Sequence, residues 1–279
     1  MAGCGWLGTA IARALAARGD RVTAVRRDGG RAALLAAEGV RPLALDLASP
    51  SALDLLPRDL DGLVACQAAA SRDLAAYRRA YLDANGTLIS AAARAGAPLV
   101  YTGSTGVFGR SDGREVFEGS ATEPDSPEAG ILAAAEALVL GEGRMGRLVR
   151  LSGLYGPGRT SIIERVRSGA LALGPGDGAF MNFCHLEDAV AAVLAALDRG
   201  RPGAIYHASD AQPARRREVI EFIAGCLRMA PPRTAAGAAT AGEPGGRRVR
   251  GEATRAELGL ALRYPSFREG LAVHLPAAR

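Results

Sequence analysis

The stretch Gly3-Cys4-Gly5-Trp6-Leu7-Gly8 determines how the rest of this 279-residue chain is interpreted. Its glycines have the spacing G-x-G-x-x-G, and apolar residues then recur every four positions, as on one face of a helix. In this pattern the first glycine permits a tight turn, the second lets the backbone approach a pyrophosphate, and the third allows close packing of helix against strand. The helix N-terminus adds partial positive charge. The stretch predicts a dinucleotide-binding turn made by Gly3, Gly5, Trp6, Leu7 and Gly8.

Short apolar runs alternate with helical patterns over the first 150 residues, which is typical of a parallel α/β sheet. The predicted strands are residues 22–25, 43–45, 63–66, 99–101 and 148–151. The predicted helices are residues 31–38, 72–94 and 129–140. We therefore predict a doubly wound Rossmann sheet. The predicted dinucleotide domain is 1–154, rejoined by 183–208, and the predicted smaller substrate-binding region is 155–182 and 209–279. A Pro- and Gly-rich segment at 230–246 predicts a loop.

The glycine turn has little chain in front of it. Only Met1 and Ala2 precede Gly3, although a turn of this kind follows a buried central strand. Losing about five buried apolar residues, at roughly 1.5–3 kcal/mol each, would rival the total stability of a domain, about 5–15 kcal/mol. We expect a truncated first strand, and a natural chain that starts several residues upstream.

The composition excludes several kinds of chemistry. All 34 basic residues are arginine, so lysine Schiff bases, a lysine general base and a Tyr-x-x-x-Lys pair are ruled out. A net charge of +5 with 5% aromatic residues does not favour nucleic-acid binding. Four dispersed cysteines and three histidines contain no metal-binding motif. Because the thiols are dispersed and no apolar run approaches about 18 residues, we predict a cytoplasmic protein without a membrane partner.

Two arginines follow the predicted strand at 22–25, at the position that contacts the adenosine ribose. Proteins that use NAD place Asp or Glu there to bind the 2′-hydroxyl. The guanidinium groups of Arg26 and Arg27 suit a 2′-phosphate instead, which predicts NADP(H) as the cofactor and makes NAD less suitable. The alternative is a pair of solvated arginines at a strand end.

Four further segments resemble the extended short-chain dehydrogenase/reductase superfamily, that is, the NAD-dependent epimerase/dehydratase family. They are YTGSTGVFG at 101–109, RLSGLYGPGR at 150–159, FCHLED at 183–188 and IYHASD at 205–210. The likeness extends over nearly the whole chain. It implies a Rossmann fold, a nicotinamide cofactor, and a small-molecule substrate that is a carbonyl or hydroxyl compound or a nucleotide sugar. It also allows for a homodimer, since such folds often dimerise through their long helices.

The resemblance implies a catalytic Tyr, a Lys four residues later on the same helix face, and a Ser at the end of the preceding strand. Ser104 stands where that serine is expected. Counting back from Glu136 places Glu128 and Leu132 at the Tyr and Lys positions. The chain therefore resembles the atypical branch of the family, which keeps the fold and the glycine turn but lacks the Tyr/Lys pair.

Two other tyrosines have a basic residue four positions later. They are Tyr155, followed by Arg159, and Tyr264, followed by Arg268. Each interval contains a proline, so neither pair is expected on one face of a regular helix. We predict that neither replaces the missing catalytic pair.

The other cofactor candidates each have a structural alternative. Asp46, followed by Leu47, resembles the family position that faces adenine, but an aspartate there also suits a plain turn. Ala68 and Ala69 resemble a small-residue stretch that passes beneath the cofactor. Their alternative is the general richness of this chain in alanine.

The catalytic candidates are similarly open. Ser104 could hold a substrate oxygen or bond local backbone. Glu128 could replace the missing acid/base or be a surface glutamate. His185 could titrate near neutral pH or brace the turn before the following helix. We predict an NADP-dependent oxidoreductase or epimerase-like enzyme. The alternatives are a non-catalytic NADP(H)-binding redox sensor and a truncated product without robust function.

Overall fold

A computed structural model describes residues 1–109, 112–141, 146–171, 173–174, 176–230 and 245–275. Contacts divide the chain into two compact units. The first comprises 1–107, 122–150 and 190–206, and the second comprises 108–121, 151–189 and 207–279. The predicted domain limits differ from these mainly at 108–121 and stay a prediction. Most of the loop predicted at 230–246 lies outside the described residues. No helix in the described ranges is long and apolar enough to cross a membrane.

Strands and helices alternate in the first unit, as predicted. Its strands, numbered along the whole chain, are β1 (Thr23–Arg26), β2 (Arg41–Ala44), β3 (Leu63–Ala65), β4 (Leu99–Ser104), β6 (Gly146–Leu151) and β10 (Ile205–Ala208). Its helices are α1 (Trp6–Ala17), α2 (Gly29–Ala33), α3 (Ala52–Leu55), α4 (Leu74–Arg78), α5 (Ala84–Ala95), α6 (Pro127–Gly141) and α8 (Leu186–Arg199), whose first four residues belong to the second unit. A 3₁₀ turn follows α2, and a π turn joins α4 to α5.

The strands of the first unit pair as a doubly wound sheet requires. β1 pairs with β2 and β3 with β4, both in parallel, and the order β10-β6-β4-β3 completes the second set. Ala2 forms parallel bridges to Val25 of β1 and to Ala65 of β3, which joins the two sets. Ala2 therefore lies between β1 and β3, where the strand before a glycine turn is found in a Rossmann sheet. The predicted fold class is confirmed.

Apolar periodicity explains why the first unit folds this way. Leu7, Ile11 and Leu15 recur every four residues along α1, and all three are buried. α5 ends where Gly96 adopts φ +64°, a left-handed conformation that glycine adopts readily. All three residues of β3 are buried, and with Leu88 and Leu99 they belong to the core of the unit. β3 therefore lies within the core, and Cys66 and Gln67 follow it directly.

The second unit is built from shorter elements. Its strands are β5 (Asp112–Val116), β7 (Gly153–Tyr155), β8 (Phe180–Met181), β9 (Phe183–His185), β11 (Ala214–Arg215) and β12 (Gly246–Val249). Its helices are α7 (Ser161–Arg167), α9 (Arg216–Cys226), α10 (Glu252–Leu258) and α11 (Phe267–Ala272). One sheet has the order β11-β8-β12-β5, and β7 pairs in parallel with β9. Its core contains Tyr155, Phe183 and Phe267.

Candidate dinucleotide site and active-site helix

The glycine turn has the geometry that its sequence predicts. Gly3 has φ +78°, and a Cβ placed on it would collide with the backbone of Gln67. A Cβ on Gly8 would collide with the carbonyl oxygen of Gly3. A Cβ on Gly5 would meet nothing within 4 Å. Two glycines therefore allow close backbone packing, while Gly5 leaves open space at the start of α1.

The N-terminus of α1 is suited to an anion. Its N-cap residue, Gly5, offers no capping side chain, and its first turn contains no acidic residue. Leu7 is buried in the core, and Trp6 is half-buried. The open space beside Gly5 therefore faces a helix end with partial positive charge and no carboxylate of its own. These residues fit the pyrophosphate of a dinucleotide.

The two arginines after β1 have different environments. Arg26 donates from Nη1 to the carbonyl oxygen of Cys4, at 3.0 Å, so its guanidinium is attached to the glycine turn. Arg27 is exposed. The next residue, Asp28, accepts a hydrogen bond from the backbone N–H of Arg31 at 2.8 Å and so caps α2. Arg27 is therefore the better placed of the two to bind a ribose phosphate.

Asp46 follows β2, and both of its carboxylate oxygens have partners. Oδ1 accepts from the backbone N–H of Ala48 at 3.1 Å, and Oδ2 accepts from Nη2 of Arg79 at 2.7 Å. Partial burial raises the pKa of Asp46, but the bonds from Arg79 and Ala48 outweigh it and leave that pKa below its usual value. Leu47 is buried in the core. Asp46 therefore shapes its turn, as one alternative predicts, with one oxygen bound to an arginine that the sequence did not indicate.

Small residues follow β3 beside the glycine turn. Ala68 is exposed and Ala69 is half-buried. The preceding residue, Gln67, donates from Nε2 to Oδ1 of Asn85 at 2.7 Å, and Asn85 donates from Nδ2 to the carbonyl oxygen of Tyr81 at 2.8 Å. Asn85 is fully buried. This was not predicted from the sequence, although a single polar residue on an apolar helix face indicates a buried hydrogen bond. This network ties the segment after β3 to α5.

Ser104 is the last residue of β4, which extends three residues beyond the predicted strand at 99–101. Its Oγ accepts a hydrogen bond from the backbone N–H of Gly106 at 3.0 Å, and the side chain is half-buried. The hydroxyl therefore bonds local backbone through its lone pair. Its proton is a separate group that can still be donated to a substrate oxygen. Both predicted roles of Ser104 fit this geometry.

The helix expected to carry the catalytic pair is α6. Glu128 lies in its first turn and Leu132 one turn later, and both side chains are half-buried. Glu136, a further turn along, is buried and forms an ion pair with Arg150 of β6, with 2.9 Å between Nη2 and Oε2. Burial raises the pKa of Glu136, although the ion pair opposes this. The face therefore holds two carboxylates separated by an apolar residue, and the buried pair is a feature that sequence reasoning missed.

The two tyrosine–arginine pairs lie in the second unit and do not form helical pairs. Tyr155 is a buried residue of β7, and its Oη lies against Gly270. Burial raises the pKa of Tyr155 far above its usual value. Tyr264 precedes α11, and Arg268 lies within that helix. Neither tyrosine shares a helix face with its arginine.

His185 ends β9 and braces the start of α8. Its Nδ1 accepts from the backbone N–H of Glu187 at 3.3 Å, and its Nε2 lies 3.2 Å from Nε2 of His274. Burial lowers the pKa of His185 to about 4. Asp188 accepts from the backbone N–H of Arg263 at 2.7 Å. His185 and Asp188 therefore both hold local backbone in place, at Glu187 and at Arg263 respectively.

Comparisons with known proteins identify the family of the chain and proteins similar to it. The sequence profile described as the NAD dependent epimerase/dehydratase family matches residues 2–209, which include every predicted cofactor residue. A Streptomyces protein named 3-diazoavenalumate denitrifying reductase is 28% identical over 293 positions, which cover 96% of each chain. Protein YeeZ of Escherichia coli K12 is 31% identical over 222 positions, 76% of this chain and 78% of YeeZ. The solved structure of MoeE5 in complex with UDP-glucose and NAD is 25% identical, with a TM-score of 0.79, over 97% of this chain and 95% of that one.

Proposed function

Because the chain belongs to the NAD dependent epimerase/dehydratase family, we propose that it is an NADP(H)-dependent oxidoreductase or epimerase-like enzyme that works without a Tyr/Lys pair. Its substrate class is a small carbonyl or hydroxyl compound or a nucleotide sugar. The observation that carries the proposal is the open space beside Gly5, at the N-terminus of a helix whose N-cap glycine offers no side chain and whose first turn contains no acidic residue. The glycine turn at residues 3–8 would hold a nicotinamide cofactor, which would supply or accept a hydride.

The choice of NADP(H) over NAD(H) depends on the end of β1. NAD-binding proteins place a carboxylate there, whereas this chain has Arg26 bound to the glycine turn and Arg27 exposed. The nearby Asp28 already accepts the hydrogen bond that caps α2. The charge at this position therefore favours a phosphate on the ribose.

The residues of α6 and β4 define the chemistry that the protein itself supplies. Ser104 donates its hydroxyl proton to a substrate oxygen, and Glu128, at the position of the missing tyrosine, holds or accepts a proton. Leu132 offers no charge at the position of the missing lysine. General acid–base assistance is typically worth about 10²–10⁴-fold, so turnover without the standard pair depends mainly on positioning.

A binding titration tests the cofactor assignment. NADPH and NADH are titrated into the wild type and into Gly5→Val, whose new side chain enters the open space, and Gly86→Ala is the control because its Cβ also meets nothing. We expect NADPH to bind more tightly than NADH, at least tenfold weaker binding by Gly5→Val (about 1.4 kcal/mol), and unchanged binding by Gly86→Ala. Preference for NADH would overturn the NADP assignment. Equal binding by Gly5→Val and wild type would overturn the site.

A turnover screen tests the enzymatic assignment. The panel contains carbonyl compounds, nucleotide sugars and, because one relative is named as a reductase of 3-diazoavenalumate, a diazo compound. We expect NADPH consumption above background with one class, and a large loss in Ser104→Ala. Background rates across the panel, despite confirmed cofactor binding, would contradict catalysis.

The second candidate function is a redox sensor that binds NADP(H) without chemistry. Leu132 favours it, because an apolar side chain replaces the cation that the family uses beside its tyrosine. In this case cofactor binding changes association with a protein partner. A pull-down that is indifferent to NADP(H) would remove its support.

The cysteines support our proposal that the protein works in the reducing cytoplasm. All four are unpaired thiols, with Cys4 and Cys184 buried and Cys66 and Cys226 half-buried. Burial raises the pKa of Cys66 to about 11 and that of Cys184 well above its usual value. Thiols in this state are weakly reactive.

A further inference from the structure

Arg79 lies at a place where the chain concentrates charge. Its guanidinium contacts the carboxylate of Asp46 at 2.7 Å, with the two side chains 49% and 37% exposed. Arg27 is close enough to lower the pKa of Asp46 by its charge. The ends of β1 and β2 are adjacent, since the backbone N–H of Leu45 donates to the carbonyl oxygen of Arg26 at 3.0 Å. Arg27, Asp46 and Arg79 therefore form one cluster, which we call the ribose-end cluster.

The carboxylate in this cluster conflicts with the proposed cofactor. A 2′-phosphate held by Arg27 would lie near Asp46, and like charges at short range repel. The bond from Arg79 offsets this repulsion because it places a guanidinium directly on the carboxylate. The net charge of the ribose-end cluster is one positive charge with Arg79 and zero without it.

The backbone at Arg79 departs from a regular α-helix, and this affects the contact between Arg79 and Asp46. Arg79 begins the π turn Arg79–Asp83, and its carbonyl oxygen accepts from the backbone N–H of Ala84, five residues later. Such a turn inserts one residue into an α-helix, and π turns often occur at functional sites. This turn lies between α4 and α5, so its extra residue changes the direction of the Arg79 side chain relative to α5.

We propose that Arg79 is a cofactor-selecting residue, which neutralises Asp46 and thereby favours the 2′-phosphorylated dinucleotide over the unphosphorylated one. This role rests on the proposed function, because it needs the dinucleotide at the glycine turn. It concerns the difference between the two cofactors, which share the same adenine and pyrophosphate. A change in selectivity therefore separates this role from a general contribution to binding.

The test is the ratio of the dissociation constants of NADH and NADPH. It is measured by titration for the wild type, Arg79→Gln and the matched control Arg78→Gln, which removes an exposed arginine one position earlier in α4. Because both partners are partly exposed and screened, we expect Arg79→Gln to lower the ratio by about threefold to tenfold. Arg78→Gln changes it by less than about twofold. Equal ratios for the two variants would overturn the role of Arg79.

A second pair of variants tests the route through Asp46. In an Asp46→Asn background the carboxylate is absent, so adding Arg79→Gln should change the ratio by less than about twofold. The full loss in that background would overturn neutralisation of Asp46 as the cause. A wild type that binds NADPH no better than NADH would instead overturn the proposed function, and with it this role. Circular dichroism of each variant confirms folding.

Discussion

At the scale of single residues, the pair Glu136 and Arg150 shows how burial makes two charges depend on each other. Both side chains are almost fully buried, 5% and 3% exposed respectively. A carboxyl group can lose its charge by taking a proton, and burial already raises the pKa of Glu136. A guanidinium cannot lose its charge at ordinary pH. Removing the carboxylate is therefore the more damaging change.

Glu136→Gln should lower the free energy of unfolding by roughly 3 kcal/mol, because it leaves Arg150 buried without this carboxylate. Denaturant unfolding measures the difference. The matched control is Glu221→Gln, whose ion pair with Arg217 spans 3.8 Å on the surface, and it should cost less than about 1 kcal/mol. Equal effects from the two substitutions would contradict the importance assigned to burial.

At the scale of elements, sequence periodicity predicted the positions of helices and strands whose formation depends on one segment alone. The apolar repeat located α1, and the predicted helix 129–140 became Pro127–Gly141. Strand β2 was predicted at 43–45 but extends from Arg41 to Ala44, because its pairing with β1 begins at Thr23 and Arg41. The π turn interrupts a predicted continuous helix at 72–94. The ion pair of Arg79 was not predicted, because its partner Asp46 lies in another segment and the π turn changes the direction of the Arg79 side chain.

The hydrogen bonds of His185, at the end of β9, carry a pH dependence. Nδ1 of His185 accepts the N–H of Glu187, so the proton of the neutral ring is on Nε2 and is donated to His274. A second proton on the ring would occupy Nδ1 and abolish the bond from Glu187. The folded protein therefore disfavours a second proton on His185, and burial lowers the pKa of His185 from 6.5 to about 4.

Stability should fall as the pH decreases from 6.5 to 4, because over this range the unfolded chain binds a proton at His185 that the folded chain does not. His185→Asn retains an acceptor for Glu187 but cannot titrate. Relative to this variant, the wild type should lose on the order of 2–3 kcal/mol between pH 7 and pH 4. Buried Asp210, whose pKa is raised to about 8, has the opposite dependence, and it cancels in the comparison. Parallel unfolding profiles for the two proteins would disprove this assignment.

At the scale of the whole molecule, composition made one decisive exclusion and left the chemistry open. A chain without lysine cannot contain a Tyr-x-x-x-Lys pair, and the sequence predicts Glu128 and Leu132, both in α6, at the two positions of that pair. The fold was predictable because glycine spacing and strand–helix alternation are local patterns. The ion pairs Glu136–Arg150 and Asp46–Arg79 were not, because each joins segments that only the folded chain brings together.

Cofactor binding should raise the stability of the whole protein by mass action. At NADPH concentrations 100 times the dissociation constant, the gain is about 2.7 kcal/mol. For a chain of this size we expect a rise in Tm on the order of 5 °C, measured by differential scanning fluorimetry. Gly5→Val should show no such rise, while Gly86→Ala should behave as wild type. An equal rise in Gly5→Val would show that NADPH binds elsewhere.

The distribution of the four thiols has a practical consequence for measuring local opening of the protein. Cys4 and Cys66 belong to the first unit, whereas Cys184 and Cys226 belong to the second. Cys4 is buried inside the glycine turn, and Cys184 is buried in β9 beside His185. A thiol reagent with mass-spectrometric detection would modify each of these two only when its surroundings open. The rate of modification of Cys4 therefore reports local opening in the first unit, and that of Cys184 reports local opening in the second, without any engineered label.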